Sequence, residues 1–407
     1  MSAYSLSRRS FLVQGIRLTA IGSLAPTIGA AAPSEYDAGE DDPASDRVLV
    51  VVQLSGGNDG LNTVVPHGQD AYYRARPTLA QKSRAVHQLD EHVGLHPSMR
   101  GLAELYEEGQ LAVVHGVGHP NADRSHFRSM EIWHTAEPFA PAGRVGWLGH
   151  MADQLVGRAP GSLPALSVGG GSSLLSMRGA AAVPPMVPSG RGFELAQTSS
   201  IIAGERARLL ERGRSKPGTD LEFLRAAART AYDAADRMSA ITDTPSEVAY
   251  PGQPLARELR LVAQLIRGGF GTRVFHVELG GFDTHASQAP VHAALLEQLS
   301  GALTAFQRDL AASGQADRVV TLVFSEFGRR AAENGSRGTD HGRGNPVFVL
   351  GSPVRAGQHG ERPDLGRLVE GDIPSTTDFR GLYRQLEVDW MDLRPFAKQR
   401  IEAPRIV

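Results

Sequence analysis

The sequence predicts an α/β protein built on a doubly wound, mostly parallel sheet flanked by helices. Two observations carry that reading. Short uninterrupted apolar runs, rich in β-branched residues, recur along the chain, as strands buried on both faces do. Between them lie longer stretches whose apolar residues repeat at helical spacing, so strands and helices alternate. The first run, Val48 to Leu54 (VLVVVQL), stops at Ser-Gly-Gly and is expected to be a central parallel strand. A helix is expected over Met99 to Glu108 and a strand over Ala112 to Val117, followed by a helical pattern towards Trp133. Gly, Pro and Ser then concentrate in residues 159–220, around the short run Ala165 to Val168, and suggest an irregular insertion or cap over one edge. Helices over Leu221 to Met238, Leu255 to Ile266, Val291 to Ala312 and Phe379 to Leu386 alternate with strands over Val274 to Leu279, Val319 to Phe324 and Val347 to Leu350.

The chain has 407 residues, 41% of them hydrophobic, with no cysteine, which excludes disorder, collagen and a disulfide scaffold. With 42 Lys+Arg against 44 Asp+Glu there is no basic field to hold nucleic acid or an anionic membrane. Without thiolates, any metal must be held by His, Asp, Glu or hydroxyl oxygen.

Near the N-terminus, Ser7-Arg8-Arg9-Ser10-Phe11-Leu12 precedes a mildly apolar stretch from Leu12 to Ala32. This resembles a twin-arginine export signal, with a basic amphipathic helix as the alternative. Arg17 interrupts the stretch, which is too short and too mild for a stable membrane span. The division expected is a signal peptide at 1–32, a linker at 33–46 and a single α/β domain over 47–407. The signal implies the twin-arginine export machinery as a partner, a periplasmic or extracellular location, and no integral membrane span in the mature chain.

Ligands of such sheets bind beyond the carboxyl ends of the strands, so the residues just after each apolar run carry the functional argument. Asp59 follows the first strand in Ser55-Gly56-Gly57-Asn58-Asp59-Gly60, either as a ligand at the sheet mouth or as a helix N-cap. Asp283 and His285, two apart, share one face if the chain stays extended and can then chelate one ion; a surface loop or an N-cap is the alternative. Glu326 lies just past Val319 to Phe324. Asp340-His341 sits in a Gly-flanked loop before the last strand, placed for coordination or for a carboxylate-oriented imidazole. Ser125 opens a helix after a strand, where backbone N–H groups favour an alkoxide, or where it merely caps. Arg124 and Arg128 flank it as an anion clamp or as solvated charges, and His126 is the adjacent imidazole.

Together LSGGNDGLNTVVP, RSHFRSMEIW, GGFDTH, FSEFGRR and NGSRGTDHGRGNPVFVLG, with the twin-arginine start, resemble the bacterial exported family called domain of unknown function 1501 over nearly the whole chain. That family is similar in turn to the alkaline phosphatase and sulfatase superfamily. The resemblance implies an alkaline-phosphatase-like fold and hydrolysis of a phosphate or sulfate ester, with a small anionic ester as substrate. It implies Ser125 as nucleophile with His126 beside it as catalytic residues, and Arg124, Arg128 and Asn58 as substrate-binding residues. It further implies a divalent metal, zinc favoured and calcium or magnesium possible, held by Asp59, Asp283, His285, Glu326, Asp340 and His341. By position Asp59, Ser125, Glu326 and Phe327 correspond to one superfamily metal site, and phenylalanine cannot ligate. Asp283, His285 and His341 correspond to the other. An alternative register makes Asp340-His341 the post-strand pair and leaves Glu326 outside. Phe327 keeps a second function open: a catalytically degraded, metal-stabilised binding or structural protein of the same fold. A Ser-His-Asp α/β hydrolase is disfavoured, since no GxSxG elbow follows an apolar strand.

Overall fold

The computed structural model describes residues 46–120, 122–139, 145–156, 163–169, 175–180, 182, 184–187, 233–242, 246–397 and 400–407. The signal segment 1–32, nearly all of the linker 33–46, most of the insertion 159–220 and the first part of the helix expected over Leu221 to Met238 lie outside the described residues. The strands are β1 (Val48–Leu54), β2 (Val64–Val65), β3 (His87–Gln88), β4 (Gly94–Leu95), β5 (Leu111–Gly118), β6 (Ala165–Val168), β7 (Met186–Val187), β8 (Val274–Leu279), β9 (Val319–Ser325), β10 (Asn345–Leu350), β11 (Gly357–His359) and β12 (Thr377–Asp378). The helices are α1 (Gly60–Thr63), α2 (Asp70–Ala75), α3 (Arg100–Glu107), α4 (His126–Thr135), α5 (Trp147–Leu155), α6 (Pro254–Arg267), α7 (Gln288–Ala312) and α8 (Phe379–Arg384).

Among the described residues, nine strands form the main sheet in the order β11-β5-β10-β9-β1-β8-β6-β7, with β12 also paired to β5. The sheet is mostly parallel and wound on both faces. β1 lies between β8 and β9, parallel to both, with every residue buried, the placement its unbroken apolar run requires. Its side chains alternate between two cores. Val48, Val50, Val52 and Leu54 pack under α3, α6 and α7, while Leu49 and Val51 face α4, α5 and α8. α6 shows why these helices form: Pro254 sits in its first turn, Leu255, Leu259, Val262 and Ile266 fall on one face, and it stops at Gly268. Burying each of those side chains contributes about 1.5–3 kcal/mol.

β10 departs from this rule and runs antiparallel to both β5 and β9. The reversal shapes the edge that carries the candidate residues. The carboxyl ends of β1, β5, β8 and β9 and the amino end of β10 share one side of the sheet, so residues 326–344 leave and re-enter the sheet there. A second, three-stranded sheet has the order β2-β4-β3. No helix among the described residues is long and apolar enough to cross a membrane.

One buried carboxylate gives the fold a pH dependence. Glu387 follows α8 in a short π-helical segment, and burial pushes its carboxyl up to about 8 against the opposing pull of the Phe396 N–H and of Arg384. The unfolded chain releases this proton near pH 4.5, whereas the folded chain keeps it to about pH 8, so the native state binds more protons across that window. Stability contributed here is present below pH 4.5 and declines as pH rises to 8. Glu387→Gln is expected to remove the decline, gaining on the order of 4 kcal/mol over the parent between pH 5 and 8 at about 1.4 kcal/mol per unit. Urea unfolding at those two pH values measures it, and parallel pH profiles for parent and variant would count against a protonated Glu387.

Candidate metal centre

The loops at this edge of the sheet interlock through glycine. Gly56 and Gly57, one residue beyond the end of β1, have φ of +117° and +73°. A Cβ on Gly56 would lie 2.4 Å from the Asp283 backbone nitrogen, and one on Gly57 2.2 Å from the Phe327 ring. Arg329 laces the loops together. Its side chain is fully buried and donates to the carbonyls of Gly57 (2.7 Å), Thr339 (2.8 Å), Phe282 (3.0 Å) and Gly56 and, at 2.7 Å, to Asp283 Oδ1. Sequence reading passed over this arginine. Its one signal was a charged residue in a Gly-flanked loop just past a buried strand.

On this frame His126, Asp283 and His341 each bring one ligand atom, all within 4.8 Å of one another. Asp283 Oδ1 lies 3.1 Å from His341 Nε2 and 3.4 Å from His126 Nε2. His285 joins from the side, its Nε2 2.9 Å from His341 Nε2 and 3.0 Å from Asp283 Oδ1. Donors held by a tetrahedral zinc at about 2.0–2.1 Å are roughly 3.3 Å apart, so these separations suit one small cation.

The backs of the rings explain the convergence. His126 Nδ1 lies 2.9 Å from Glu326 Oε1, His341 Nδ1 donates to the Arg124 carbonyl at 2.7 Å, and His285 Nδ1 lies 3.3 Å from Asp340 Oδ1. An acceptor behind each ring holds the proton on Nδ1 and turns the Nε2 lone pair forward, as outer partners of metal-bound histidines do. His126 Nε2 is buried with no hydrogen-bond partner among the described residues. Neutral rings whose Nε2 atoms lie 2.9 Å apart repel unless a cation or a proton sits between them.

Charge is set by the same contacts. The hydrogen bond that His126 donates to Glu326 is the main cause that raises the His126 pKa, against the lowering effect of burial. Burial works against ionisation of Asp283, but the hydrogen bond from Arg329 and the Arg329 charge outweigh it and hold the carboxyl well below the usual range. Asp340 is also held below that range, chiefly by the Asn334 side chain. Phe327 packs behind the centre, its ring centroid 4.9 Å from that of His126 and 4.7 Å from that of His341.

The structure thus brings together Asp283, His285 and His341 from the expected metal set, and adds His126, which the sequence had placed beside a nucleophile. Glu326 and Asp340 stand behind the rings. Asp59 is elsewhere, fully buried, paired with Arg76 Nη1 at 2.5 Å and hydrogen-bonded by Gln288. Burial opposes its ionisation, and the Arg76 charge and hydrogen bond prevail, leaving its pKa lowered. Asn58 is buried too, its Oδ1 shared by Thr63 and His292. Arg128 lies 2.5 Å from Glu131, and Arg124 2.5 Å from Asp372. Ser125 occupies the N-cap position of α4, is exposed, and makes no side-chain cap bond.

The family described as protein of unknown function (DUF1501) matches residues 46–400. Among curated proteins none matches the chain. Solved structures similar to it include the lipoteichoic acid synthase LtaP from Listeria monocytogenes, 9% identical, covering 88% of this chain and 76% of that one with a TM-score of 0.42. A protein in the alkaline phosphatase superfamily from Vibrio parahaemolyticus is 10% identical, covering 96% and 76%, with a TM-score of 0.39. The PsFucS1 sulfatase from Pseudoalteromonas sp. is 10% identical, covering 86% and 68%, with a TM-score of 0.36.

Proposed function

The chain belongs to the DUF1501 family, and for it we propose an exported, metal-dependent hydrolase of phosphate or sulfate esters with an alkaline-phosphatase-like fold. One observation carries the metal: imidazoles from three separate segments, each tethered through Nδ1, aim Nε2 at the same region as the ionised Asp283. His126, Asp283 and His341 would hold the ion, with His285 as a further ligand. A nitrogen-rich set of this kind favours zinc over calcium or magnesium, which take oxygen ligands. When bound, the ion would polarise the transferred group and stabilise its developing charge.

The chain's own residues supply the rest. Glu326 keeps the His126 proton on Nδ1, and Arg329 keeps Asp283 ionised and in place. Ser125, free of a cap bond at the start of α4, would attack the phosphorus or sulfur atom, the helix N–H groups favouring its alkoxide. The bond to the ester oxygen would break as the bond to Ser125 forms, the Ser125 proton ending on the departing alcohol, and water would then cleave the serine ester, releasing the anion and restoring the hydroxyl. Arg124, paired with Asp372 but 39% exposed beside Ser125, would meet a substrate anion. Asn58 and Arg128 have no such role in this reading, since their side chains are engaged within the protein. Asp59, paired with Arg76, supports the loop after β1. The Ser7 to Leu12 motif assigns export to the twin-arginine route, into the periplasm or beyond.

A metal-stabilised binding or structural protein is the second reading, favoured by the Asp59–Arg76 pair and by Phe327, which cannot ligate at a position where the resemblance implies a ligand. Ser125→Ala separates the two. The variant is expected to keep its zinc and lose at least about 1,000-fold in turnover of aryl phosphates or sulfates, a nucleophile's share of the barrier being several kcal/mol. Equal rates in parent and variant, or no turnover by zinc-loaded parent, would favour the binding protein.

A further inference from the structure

Beside the proposed centre three arginines converge on two carboxylates of different character. Asp372 is fully buried. Arg124 Nη2 lies 2.5 Å and Arg343 Nε 3.4 Å from its Oδ2, and Arg330 Nε lies 3.6 Å from its Oδ1. Such a carboxylate is a fixed anchor that holds the three guanidiniums side by side. Glu370 is the opposite case, with its side chain 67% exposed. Arg343 Nη2 hydrogen-bonds its Oε2, Arg124 Nη2 lies 3.7 Å away, and Arg330 Nη2 donates to its backbone carbonyl at 2.5 Å.

Glu370 is also held in a costly conformation. It has φ of +55° at the tip of a turn closed by reciprocal Val369 and Asp372 backbone bonds of 2.9 and 3.0 Å. L-residues other than glycine rarely adopt this left-handed region, because Cβ crowds the backbone there. The conformation lays a carboxylate over the arginines, which remain 39% (Arg124), 40% (Arg330) and 25% (Arg343) exposed. Their backbones are tied to the centre: the Arg124 carbonyl accepts from His341, Arg330 N–H donates to the Asp340 carbonyl at 2.9 Å, and Arg343 lies two residues beyond His341.

We propose that Arg124, Arg330 and Arg343 form a subsite for a second anionic group of the substrate, and that the Glu370 carboxylate is an internal stand-in which that group displaces. Three positive charges against Asp372 alone leave a net of two for the incoming anion once Glu370 swings out. The substrate class is therefore an ester bearing a further phosphate, sulfate or carboxylate close to the scissile group, rather than the ester of a neutral alcohol. The assignment of the scissile group rests on the function proposed above; the anion subsite itself does not.

The test uses neither metal nor turnover. Inorganic phosphate is titrated calorimetrically, at low salt, into the full chain freed of metal on a chelating resin, as parent, Glu370→Gln, Glu370→Gln/Arg343→Gln and Glu370→Gln/Arg330→Gln. Glu370→Gln is expected to bind phosphate at least about tenfold more tightly than the parent, with both double variants, folded by circular dichroism, losing that gain; removal of a competing charge pair sets the scale. No gain in Glu370→Gln, or a gain that persists in both double variants, overturns the proposal. Loss of the hydrolase reading alone would leave the phosphate titration unchanged.

Discussion

Alanine at His341 is expected to weaken zinc binding by about 100- to 1,000-fold and to abolish ester turnover while leaving the protein folded. A structural zinc site contributes roughly 10–16 kcal/mol over four ligands, so each accounts for about 2.5–4 kcal/mol. His341 supplies the Nε2 closest to Asp283 within the three-residue group, and its Nδ1–H···O=C bond to Arg124 fixes the ring. Its side chain lies in a loop outside the apolar cores. Competition with a chromophoric chelator reads the affinity, and urea unfolding of the metal-free forms reads the fold. Zinc held equally by parent and variant would remove His341 from the centre.

Arg329→Met is expected to cost about 3–5 kcal/mol in unfolding free energy and to weaken metal binding as well, because it strips one partner from a buried charged network. Four carbonyl oxygens, of Gly56, Gly57, Phe282 and Thr339, would lose their donor, and Asp283 its fixed cation. Lysine should not rescue the loss, since one ammonium cannot reproduce a planar fork reaching three loops. Urea midpoints for parent, methionine and lysine forms decide this. A shift below about 1 kcal/mol would mean that the loops hold themselves, within the range of an ordinary surface change.

The elements with strong local patterns were legible. β1, β6 and β8 begin and end where their apolar runs do, because a strand buried on both faces leaves an unbroken signature. α7 begins at Gln288, ahead of its apolar repeat at Val291, since the Gln288 N–H is held by the Arg337 carbonyl and its side chain binds Asp59. The reversed direction of β10 had no local mark, and α2, six residues long, is too short to show a helical period. The partnership of Arg76 with Asp59, which follows from α2, was therefore invisible too.

At the site, residue types were legible and partnerships were not. Asp283, His285 and His341 stand at strand ends, where an open α/β sheet displays its ligands. His126 reads locally as the neighbour of a helix-capping serine; its carboxylate partner, Glu326, is 200 residues away in sequence. Phe327 looked like a missing ligand, and the structure gives it a packing position against two imidazoles. Such pairings depend on tertiary approach, which periodicity does not encode.

The centre itself is tested most directly by titrating zinc into metal-free full chain and recording the zinc K-edge X-ray absorption of parent and His341→Ala. The expected result is uptake of about one ion per chain, with an inner nitrogen and oxygen shell at about 2.0–2.1 Å and imidazole scattering that diminishes in the variant. Folded parent that takes up no zinc, or bound zinc whose shell is identical in His341→Ala, would contradict it.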